Sequence, residues 1–324
     1  MIVDRQGEAN RLALAPSVEL FRSDVLCGLR LPAKQIPSKY FYDETGSQIF
    51  EEICRLREYY PTRTELGIMQ QHAGEMAKLL GRDCLLIEYG SGSSVKTRLL
   101  LDRLAEPAAY MPIDISGEHL LRSAESLAQA YPGLEIIPLC ADFTMLSEAP
   151  SPSRKPARRV IYFPGSTIGN FTPGEAVELL RRTARLAGPS GGMLLGADRK
   201  KEPSILHAAY NDAQGVTACF NLNLLVRINR ELGADFPIEE FWHHAFYTPR
   251  HGRIEMHLVT RKALRVRVAD EEFLLTQGES IRTEYSYKYS VEDLQAVAAK
   301  AGFAIERTWT DRRGYFSVLY LTVA

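Results

Sequence analysis

The sequence lacks the features that place a protein in a membrane or on nucleic acid. No apolar run approaches the roughly 18 residues that a membrane-spanning helix needs, and the first residues show no basic start followed by an apolar core. With 39 basic and 40 acidic side chains, the formal net charge of −1 creates no field that would attract an anionic partner. We therefore expect a cytoplasmic protein without nucleic-acid or membrane partners. No coiled-coil pattern is present, which favours a monomer.

The cysteines and histidines are not spaced as the ligands of a metal site usually are. The five cysteines form no C-x-x-C pair, and the seven histidines show no metal-ligand pattern. Cys84 and Cys140 lie inside apolar runs, which is typical of packed thiols. The sequence therefore predicts reduced cysteines and no metal site.

Short apolar runs alternate with helical patterns over the middle of the chain. The runs occupy residues 84–89, 110–115, 135–140, 159–163 and 192–197. The stretches between them carry apolar residues three and four positions apart. This alternation predicts right-handed βαβ units and a parallel sheet covered by helices.

The alternation stops after residue 198. Residues 204–232 have a helical pattern, and the segments 253–268 and 272–289 are typical of antiparallel strands. The tail then returns to a capped helix at 290–301, followed by a strand pair. We predict an α/β fold whose Rossmann-like parallel sheet ends in an antiparallel pair and is interrupted by a second α+β lobe.

The same patterns set the expected domain bounds. Residues 61–200 and 288–324 would form the nucleotide-fold domain, and residues 10–60 and 201–287 the second lobe. A cleft between two lobes would be the natural ligand site.

A cofactor signature follows the first run. Glu88 is followed by a turn containing Gly90 and Gly92, and a helix opens near Lys96. Glycines allow a ligand to approach the backbone closely, and the start of a helix favours negative charge. A G-x-G sequence alone is weak evidence, because structural turns often contain it. Acids at the ends of the next two runs strengthen the signal, namely Asp114 and the Asp142-Phe143 pair.

The arrangement favours S-adenosylmethionine over a dinucleotide. The third glycine of a dinucleotide loop is missing, and no second nucleotide-binding half follows residue 150. Asp114 would bind the ribose hydroxyls, while Asp142 and Phe143 would bind the adenine. Glu88 would orient the loop or the methionine ammonium, and Lys96 would neutralise the methionine carboxylate. An NAD-dependent oxidoreductase is the alternative from another enzyme class.

Several strings of the sequence are long and unusual. They are residues 39–47 (KYFYDETGS), 58–65 (EYYPTRTE), 163–171 (FPGSTIGNF), 209–212 (AYND), 229–236 (NRELGADF), 253–256 (RIEM) and 283–286 (TEYS). Through these strings the chain resembles, from about residue 20 to the end, the histidine N-alpha-methyltransferases of ergothioneine biosynthesis. An extended loop around residues 151–156 is the visible departure, and it leaves these strings intact.

The resemblance implies a class I methyltransferase fold, S-adenosylmethionine without a metal, and a free amino acid as substrate. The residues implied to bind the substrate are Tyr59, Asn170 and Tyr210 at the carboxylate side, Glu284 and Ser286 at the imidazole, and Phe50 and Met256 along the pocket. Tyr42 and the Gly165 backbone are implied to lie near the reacting amine. For the cofactor, the resemblance supports the residues that the strand-end pattern also indicates, namely Gly90, Lys96, Asp114, Asp142 and Phe143.

Structural roles compete with each of these assignments. Tyr59 and Tyr60 before a proline are typical of a packed aromatic turn, and Asn170 is a suitable helix cap. Tyr210 and Met256 are also ordinary core residues. Glu284 and Ser286 lie two positions apart on a strand-like segment, so an exposed polar face would explain them as well.

The expected reaction is trimethylation of the α-amino group of L-histidine to hercynine, the first step of ergothioneine biosynthesis. A methyltransferase of the same family that acts on tryptophan or a modified histidine is the nearest alternative. A non-catalytic binding protein would need a damaged cofactor loop or amine pocket, and the sequence shows neither.

Overall fold

The described residues of the computed structural model, 17–92 and 95–324, fold into two units. The first unit contains Pro61–Lys200 and Lys288–Ala324. The second contains residues 17–60 and Lys201–Tyr287, so it is built from two separated stretches of the chain. Residues 10–16, which the sequence assigns to the second lobe, lie outside the described residues.

The bounds of the regular elements are as follows. The α-helices of the described residues are Val18–Arg30 (α1), Glu44–Arg55 (α2), Tyr60–Leu80 (α3), Val95–Leu101 (α4), Gly117–Ala130 (α5), Pro173–Ala187 (α6), Pro203–Tyr210 (α7), Val216–Leu232 (α8) and Val291–Lys300 (α9). The strands are Cys84–Tyr89 (β1), Ala109–Asp114 (β2), Leu139–Cys140 (β3), Arg158–Phe163 (β4), Gly192–Asp198 (β5), Phe241–Thr248 (β6), Arg253–Thr260 (β7), Leu264–Val268 (β8), Glu271–Leu275 (β9), Ser280–Tyr287 (β10), Phe303–Thr310 (β11) and Phe316–Val323 (β12). Within the described chain, no helix is long and apolar enough to cross a membrane.

The first unit is organised by a seven-stranded sheet in the order β11-β12-β5-β4-β1-β2-β3. Strands β1 to β5 pair in parallel, whereas β12 is antiparallel to both β5 and β11. This arrangement confirms the predicted α/β fold, with its parallel sheet and terminal antiparallel pair.

Burial explains why the strands of this sheet are continuous apolar runs. Every residue of β1 and of β5 is buried, as expected for a parallel sheet with helices on both faces. The core of the unit joins strand residues such as Leu86, Val160 and Leu194 to Met69 and Met76 of α3.

One strand is much shorter than the sequence predicts. Residues 135–140 form a strand only at Leu139–Cys140, with a separate bridge between Ile136 and Tyr110. Pro138 interrupts the segment because its nitrogen carries no hydrogen to donate. The six-residue strand expected here is therefore wrong in length, although the segment does follow β2.

The second unit contains a three-stranded antiparallel sheet in the order β10-β7-β6 and a separate β8–β9 hairpin. Helix α8 packs against α2, β6 and β7. Along β7, Ile254, Met256 and Leu258 are buried, whereas the alternate residues Arg253, Glu255 and His257 are only partly buried. We call this buried side of the three-stranded sheet its inner face.

Two features of the second unit differ from the sequence patterns. The helical stretch is split into α7 and α8, because Gly215 adopts a left-handed φ of 74° and Asp212 accepts hydrogen bonds from the N–H groups of Val216 and Thr217 at 2.9 and 2.8 Å. Strand β6 was not predicted. In its sequence, FWHHAFYT, apolar and polar residues do not alternate regularly enough to indicate a strand. The segment is a strand because its backbone pairs with β7.

Candidate active site

The glycine turn after β1 has the backbone conformation that requires glycine. Gly90 and Gly92 have φ values of 68° and 46°, in the left-handed region. Apart from the glycine and its chain neighbours, no described atom lies within 4 Å of the position that a Cβ would take at either residue. The left-handed backbone, and not crowding by described residues, therefore accounts for the two glycines of the turn.

Glu88, at the end of β1, is held inside the first unit. Its Oε2 accepts a hydrogen bond from Thr97 Oγ1 at 2.6 Å and another from the Tyr110 hydroxyl. Burial raises the pKa of Glu88 to about 7, although both donors act in the opposite direction. Glu88 thus ties β1 to β2 and α4. Its contact with a cofactor stays a prediction.

The acids after β2 and β3 lie at the edge where these parallel strands end. Asp114 accepts hydrogen bonds from the N–H groups of Ser116 at 2.9 Å and Gly92 at 3.4 Å, and burial raises its pKa. Asp142 accepts from the N–H and the hydroxyl of Thr144, at 2.9 and 2.6 Å. Asp114 therefore connects its strand end directly to the glycine turn.

Phe143 belongs to an aromatic group next to these acids. Its ring stacks on Tyr89 with 5.0 Å between centroids and 9° between planes. Phe163 and Phe171 meet the same ring edge-on, at 5.4 and 6.3 Å. A flat, apolar surface beside a carboxylate suits a purine base.

A buried carboxylate that the sequence did not single out joins two predicted site residues. Glu65 of α3 is fully buried, and its Oε2 lies 2.5 Å from Lys96 Nζ. The same oxygen accepts a hydrogen bond from the Gly165 N–H at 2.9 Å. Glu65 stands within a string that carries the family resemblance, but nothing in the sequence shows that it faces inward.

Gly165 and Asn170 occupy the segment after β4. Gly165 and Ser166 both have left-handed φ values, 75° and 61°, so the backbone turns sharply there. Asn170 ends the short turn Thr167–Asn170. The N-cap of α6 is Thr172, which forms a capping box with Glu175, so the alternative that Asn170 caps this helix is wrong.

The second unit gathers the predicted aromatic residues. The Phe50 ring lies 5.6 Å from Tyr42 and 6.2 Å from Tyr59, and Tyr59 lies 6.3 Å from Tyr210, between centroids. Phe220 of α8 joins them at 5.8 Å from both Tyr42 and Phe50. No sequence signal marks Phe220, since it is one apolar residue among many in a helical stretch.

The polar residues of β10 face the same interior. Glu284 pairs with Met256 of β7, and Met256 is 2% exposed on the inner face. Ser286 is buried and accepts a hydrogen bond from the Tyr210 hydroxyl at 2.7 Å. An exposed polar face, the structural alternative for Glu284 and Ser286, is therefore wrong for Ser286.

Electrostatics supports the proximity of these side chains. Burial raises the pKa of Tyr59 well above its usual value, and the nearby Tyr210, Cys54, Tyr42 and Glu284 raise it further. The Tyr59 phenol therefore keeps its proton at neutral pH and can donate a hydrogen bond from an apolar site.

The structure thus sorts the predicted residues by unit. The second unit holds Tyr42, Phe50, Tyr59, Tyr210, Met256, Glu284 and Ser286. The first holds Glu88, Gly90, Gly92, Lys96, Asp114, Asp142, Phe143, Gly165 and Asn170. Among the described residues, no group of three or more His, Cys, Asp or Glu side chains could hold a metal ion.

Comparison with known proteins identifies the family. The profile of a family described as "Histidine-specific methyltransferase, SAM-dependent" matches residues 21–323. A histidine N-alpha-methyltransferase of Mycolicibacterium smegmatis is 42% identical over 316 residues, covering 96% of this chain and 97% of that protein. The histidine N-alpha-methyltransferase of Mycobacterium tuberculosis is 40% identical over 320 residues, covering 97% and 98%. A 4-dimethylallyltryptophan N-methyltransferase of Aspergillus fumigatus is 28% identical and covers 88% of each chain. The chain therefore belongs to the SAM-dependent, histidine-specific methyltransferase family.

Proposed function

We propose that this enzyme transfers three methyl groups to the α-amino group of free L-histidine and forms hercynine, the first step of ergothioneine biosynthesis. One observation carries the proposal beyond family membership. In the second unit, the inner-face residue Ser286 and its neighbour Glu284 lie with Tyr59 and Tyr210 in an otherwise aromatic environment. Such a group suits a small molecule with polar atoms at both ends.

The first unit fits S-adenosylmethionine, the cofactor of the family. The open glycine turn, Asp114 at the end of β2 and the Asp142-Phe143 pair after β3 would hold its ribose and adenine. Lys96, whose ammonium also pairs with Glu65, would attract the methionine carboxylate. When bound, the cofactor supplies a methyl group on a positively charged sulfur. The first unit would therefore be the cofactor-binding domain and the second the substrate-binding domain.

The second unit would recognise the imidazole ring. Glu284 would accept a hydrogen bond from one ring nitrogen, and Ser286 would serve the other. An apolar amino acid would leave these partly buried groups unpaired, and sites of this kind can discriminate by about 10⁴-fold. Specificity for histidine would thus come from β10.

The amine end must tolerate a growing positive charge. The rings of Tyr42, Phe50 and Tyr59 would stabilise the methylated ammonium by about 0.5–2 kcal/mol each. The substrate amine must also lose a proton before it attacks. Tyr59 is a poor base because its raised pKa keeps the phenol protonated. Transfer through Tyr42 and a water, or directly to solvent, are the two routes that we propose.

A second candidate function is N-methylation of another amino acid, such as tryptophan or a modified histidine. The similarity to a relative named for a tryptophan derivative favours this alternative. The polar side chains of Glu284 and Ser286 favour histidine, because an indole cannot satisfy both.

Mass spectrometry tests the two candidates directly. The purified enzyme is incubated with S-adenosylmethionine and a mixture of the twenty amino acids. We expect histidine alone to gain three methyl groups. Methylation of a different amino acid would leave the cofactor assignment standing and overturn the substrate assignment. If none of the twenty is methylated, unmodified histidine is excluded, and a modified histidine is the next substrate to assay.

The remaining expectations also stay proposals. We propose that the enzyme acts on a small molecule as a cytoplasmic monomer. Light scattering on the purified protein should give the mass of one 324-residue chain. A dimer mass would overturn the monomer.

A further inference from the structure

Strand β10 carries one more residue than the strand it pairs with. Ile281 pairs with Leu258 and Arg282 with His257, but the next residue of β7, Met256, pairs with Glu284. Thr283 is therefore the extra residue of a β-bulge. Bulges of this kind redirect the side chains that follow them.

The bulge decides which face Glu284 and Ser286 occupy. Side chains alternate along a strand, and Ile281 is fully buried on the inner face. Without the extra residue, Thr283 and Tyr285 would share that face and Glu284 would point away from it. With the bulge, Glu284 aligns with Met256 and Ser286 with Ile254, both of which are inner-face residues.

A buried hydrogen-bond network holds the bulge from inside. The Thr283 hydroxyl donates to Asn221 Oδ1 at 2.7 Å and lies 3.2 Å from the Met256 carbonyl oxygen. Asn221 Nδ2 lies 3.0 Å from the His257 carbonyl oxygen and 2.9 Å from His243 Nδ1. Thr283 is 1% and Asn221 0% exposed, so water cannot replace a lost partner.

The network continues to the candidate substrate residues. His243 Nε2 lies 2.8 Å from the carbonyl oxygen of Tyr210, whose hydroxyl contacts Ser286. On the other side of β10, Arg282 exchanges backbone hydrogen bonds with Lys34 and Ile36, both at 2.9 Å. The chain is thus fixed on both sides next to the extra residue.

We propose that Thr283 and Asn221 are positioning residues for substrate specificity: their hydroxyl–amide pair holds the β10 bulge, and the bulge turns Glu284 and Ser286 inward. The proposal rests on the proposed function, since it assigns the inner face of β10 to the substrate. Neither residue needs to touch the substrate. Their effect reaches it through the register of the strand and the backbone of Tyr210.

The test is Thr283→Val, which keeps the side-chain shape and removes the hydroxyl. We expect histidine affinity to fall about tenfold or more, because Asn221 Oδ1 loses its donor and the bulge loses its anchor. Affinity for S-adenosylhomocysteine should stay within about twofold, since the cofactor residues belong to the first unit. Isothermal titration with each ligand measures both values. Thr283→Ser, which keeps the hydroxyl, should restore histidine affinity to within about threefold.

Thr260→Val is the matched control. Thr260 lies on β7 of the same sheet, is 2% exposed, and donates to the backbone carbonyl of Thr276 at 2.7 Å. The control removes an equally buried hydroxyl and should lower the melting temperature without changing histidine affinity. If both valine variants weaken histidine binding equally, or if Thr283→Val binds histidine normally, the proposal is wrong.

Two further measurements keep the test decisive. If Thr283→Val does not fold, Thr283→Ala carries the same expectation and is compared with Thr260→Ala. Asn221→Leu alone removes the pair with Thr283 and also the contacts with His257 and His243, so it should give the larger loss of histidine affinity. Adding Thr283→Val to it should weaken histidine binding no further, because the Thr283–Asn221 pair is already broken. Should the wild type prefer another amino acid, the proposed function fails, and the same variants are measured with that amino acid.

Discussion

The two units place their polar site residues by different means. In the first unit, Glu88, Asp114 and Asp142 stand where consecutive parallel strands end, so their proximity follows from the order of the strands. In the second unit, Glu284 and Ser286 lie along one antiparallel strand, and a single extra residue decides which face they occupy.

The difference shows how robust each arrangement is to change. A strand end stays at the edge of the sheet when a neighbouring side chain is altered. The face of the sheet on which a strand residue lies depends on the pairing register, and a shift of one residue moves its side chain to the opposite face. The proposed cofactor residues are therefore fixed by the topology of the first unit, whereas the face that the proposed substrate residues occupy in the second unit depends on a single residue.

The largest expected effect is that of Glu284→Ala. We expect kcat/KM for histidine to fall about 10³-fold, and the preference to shift toward aromatic amino acids, because the imidazole would lose its proposed acceptor. Steady-state kinetics with histidine and tryptophan measure the change. The control is Glu272→Ala, on the exposed part of β9, which should behave as the wild type. Unchanged kinetics on both substrates in Glu284→Ala would overturn the imidazole assignment.

In the first unit, Glu88→Gln should alter how stability depends on pH. The pKa of Glu88 is raised in the folded state to about 7, from 4.5, so the folded protein holds a proton that the unfolded chain releases. Stability from this group is therefore present below about pH 4.5 and is lost as the pH rises through 7. The loss is on the order of 3 kcal/mol, and Glu88→Gln should abolish it.

Urea unfolding at several pH values between 5 and 8 measures this slope. Glu125→Gln, on the exposed side of α5, is the control and should keep the wild-type slope. A wild-type protein whose stability does not fall across this range would contradict the expectation.

Glu65→Gln tests whether the pair with Lys96 supports the cofactor site. The variant keeps an acceptor for the Gly165 N–H but removes the carboxylate that pairs with the ammonium of Lys96, which should cost about 3 kcal/mol of stability. We expect affinity for S-adenosylhomocysteine to fall about tenfold, since Lys96 is no longer held in place. Titration and thermal unfolding measure both effects.

The double variant Glu65→Gln, Lys96→Met sharpens this result. It removes the uncompensated charge, so it should recover stability but not cofactor affinity. If Glu65→Gln binds S-adenosylhomocysteine as the wild type does, Glu65 serves stability alone.

The smallest expected effect separates Asn170 from Thr172. Thr172→Ala should destabilise the protein by about 1 kcal/mol, because it removes the N-cap of α6. Asn170→Ala should change stability less and lower histidine turnover more. Denaturant unfolding and steady-state kinetics on both variants measure the contrast, and the reverse pattern would return Asn170 to a structural role.

Much of the first unit could be predicted from local patterns. The fully buried strands β1 and β5 are unbroken apolar runs, and the capped helix α9 follows its Ser290 cap. Local patterns indicate the structure less well around Pro138, where proline shortens β3, and in β6, where pairing with β7 forms the strand. The burial of Glu65 could not be predicted from the sequence, because a glutamate on a helix is normally expected to be exposed unless its ion-pair partner is known.

The sequence by itself determined the parallel sheet with its antiparallel end, the glycine turn and the order in which the acids follow their strands. Apolar runs, glycines and caps act over a few residues, so they can be read along the chain. Only the tertiary structure decided the burial of Glu65 against Lys96, the place of Phe220 among the rings and the inward direction of Glu284 and Ser286. Each of these depends on residues far apart in the chain, such as Asn221 and Thr283, and no local pattern records which distant side chain completes a hydrogen bond.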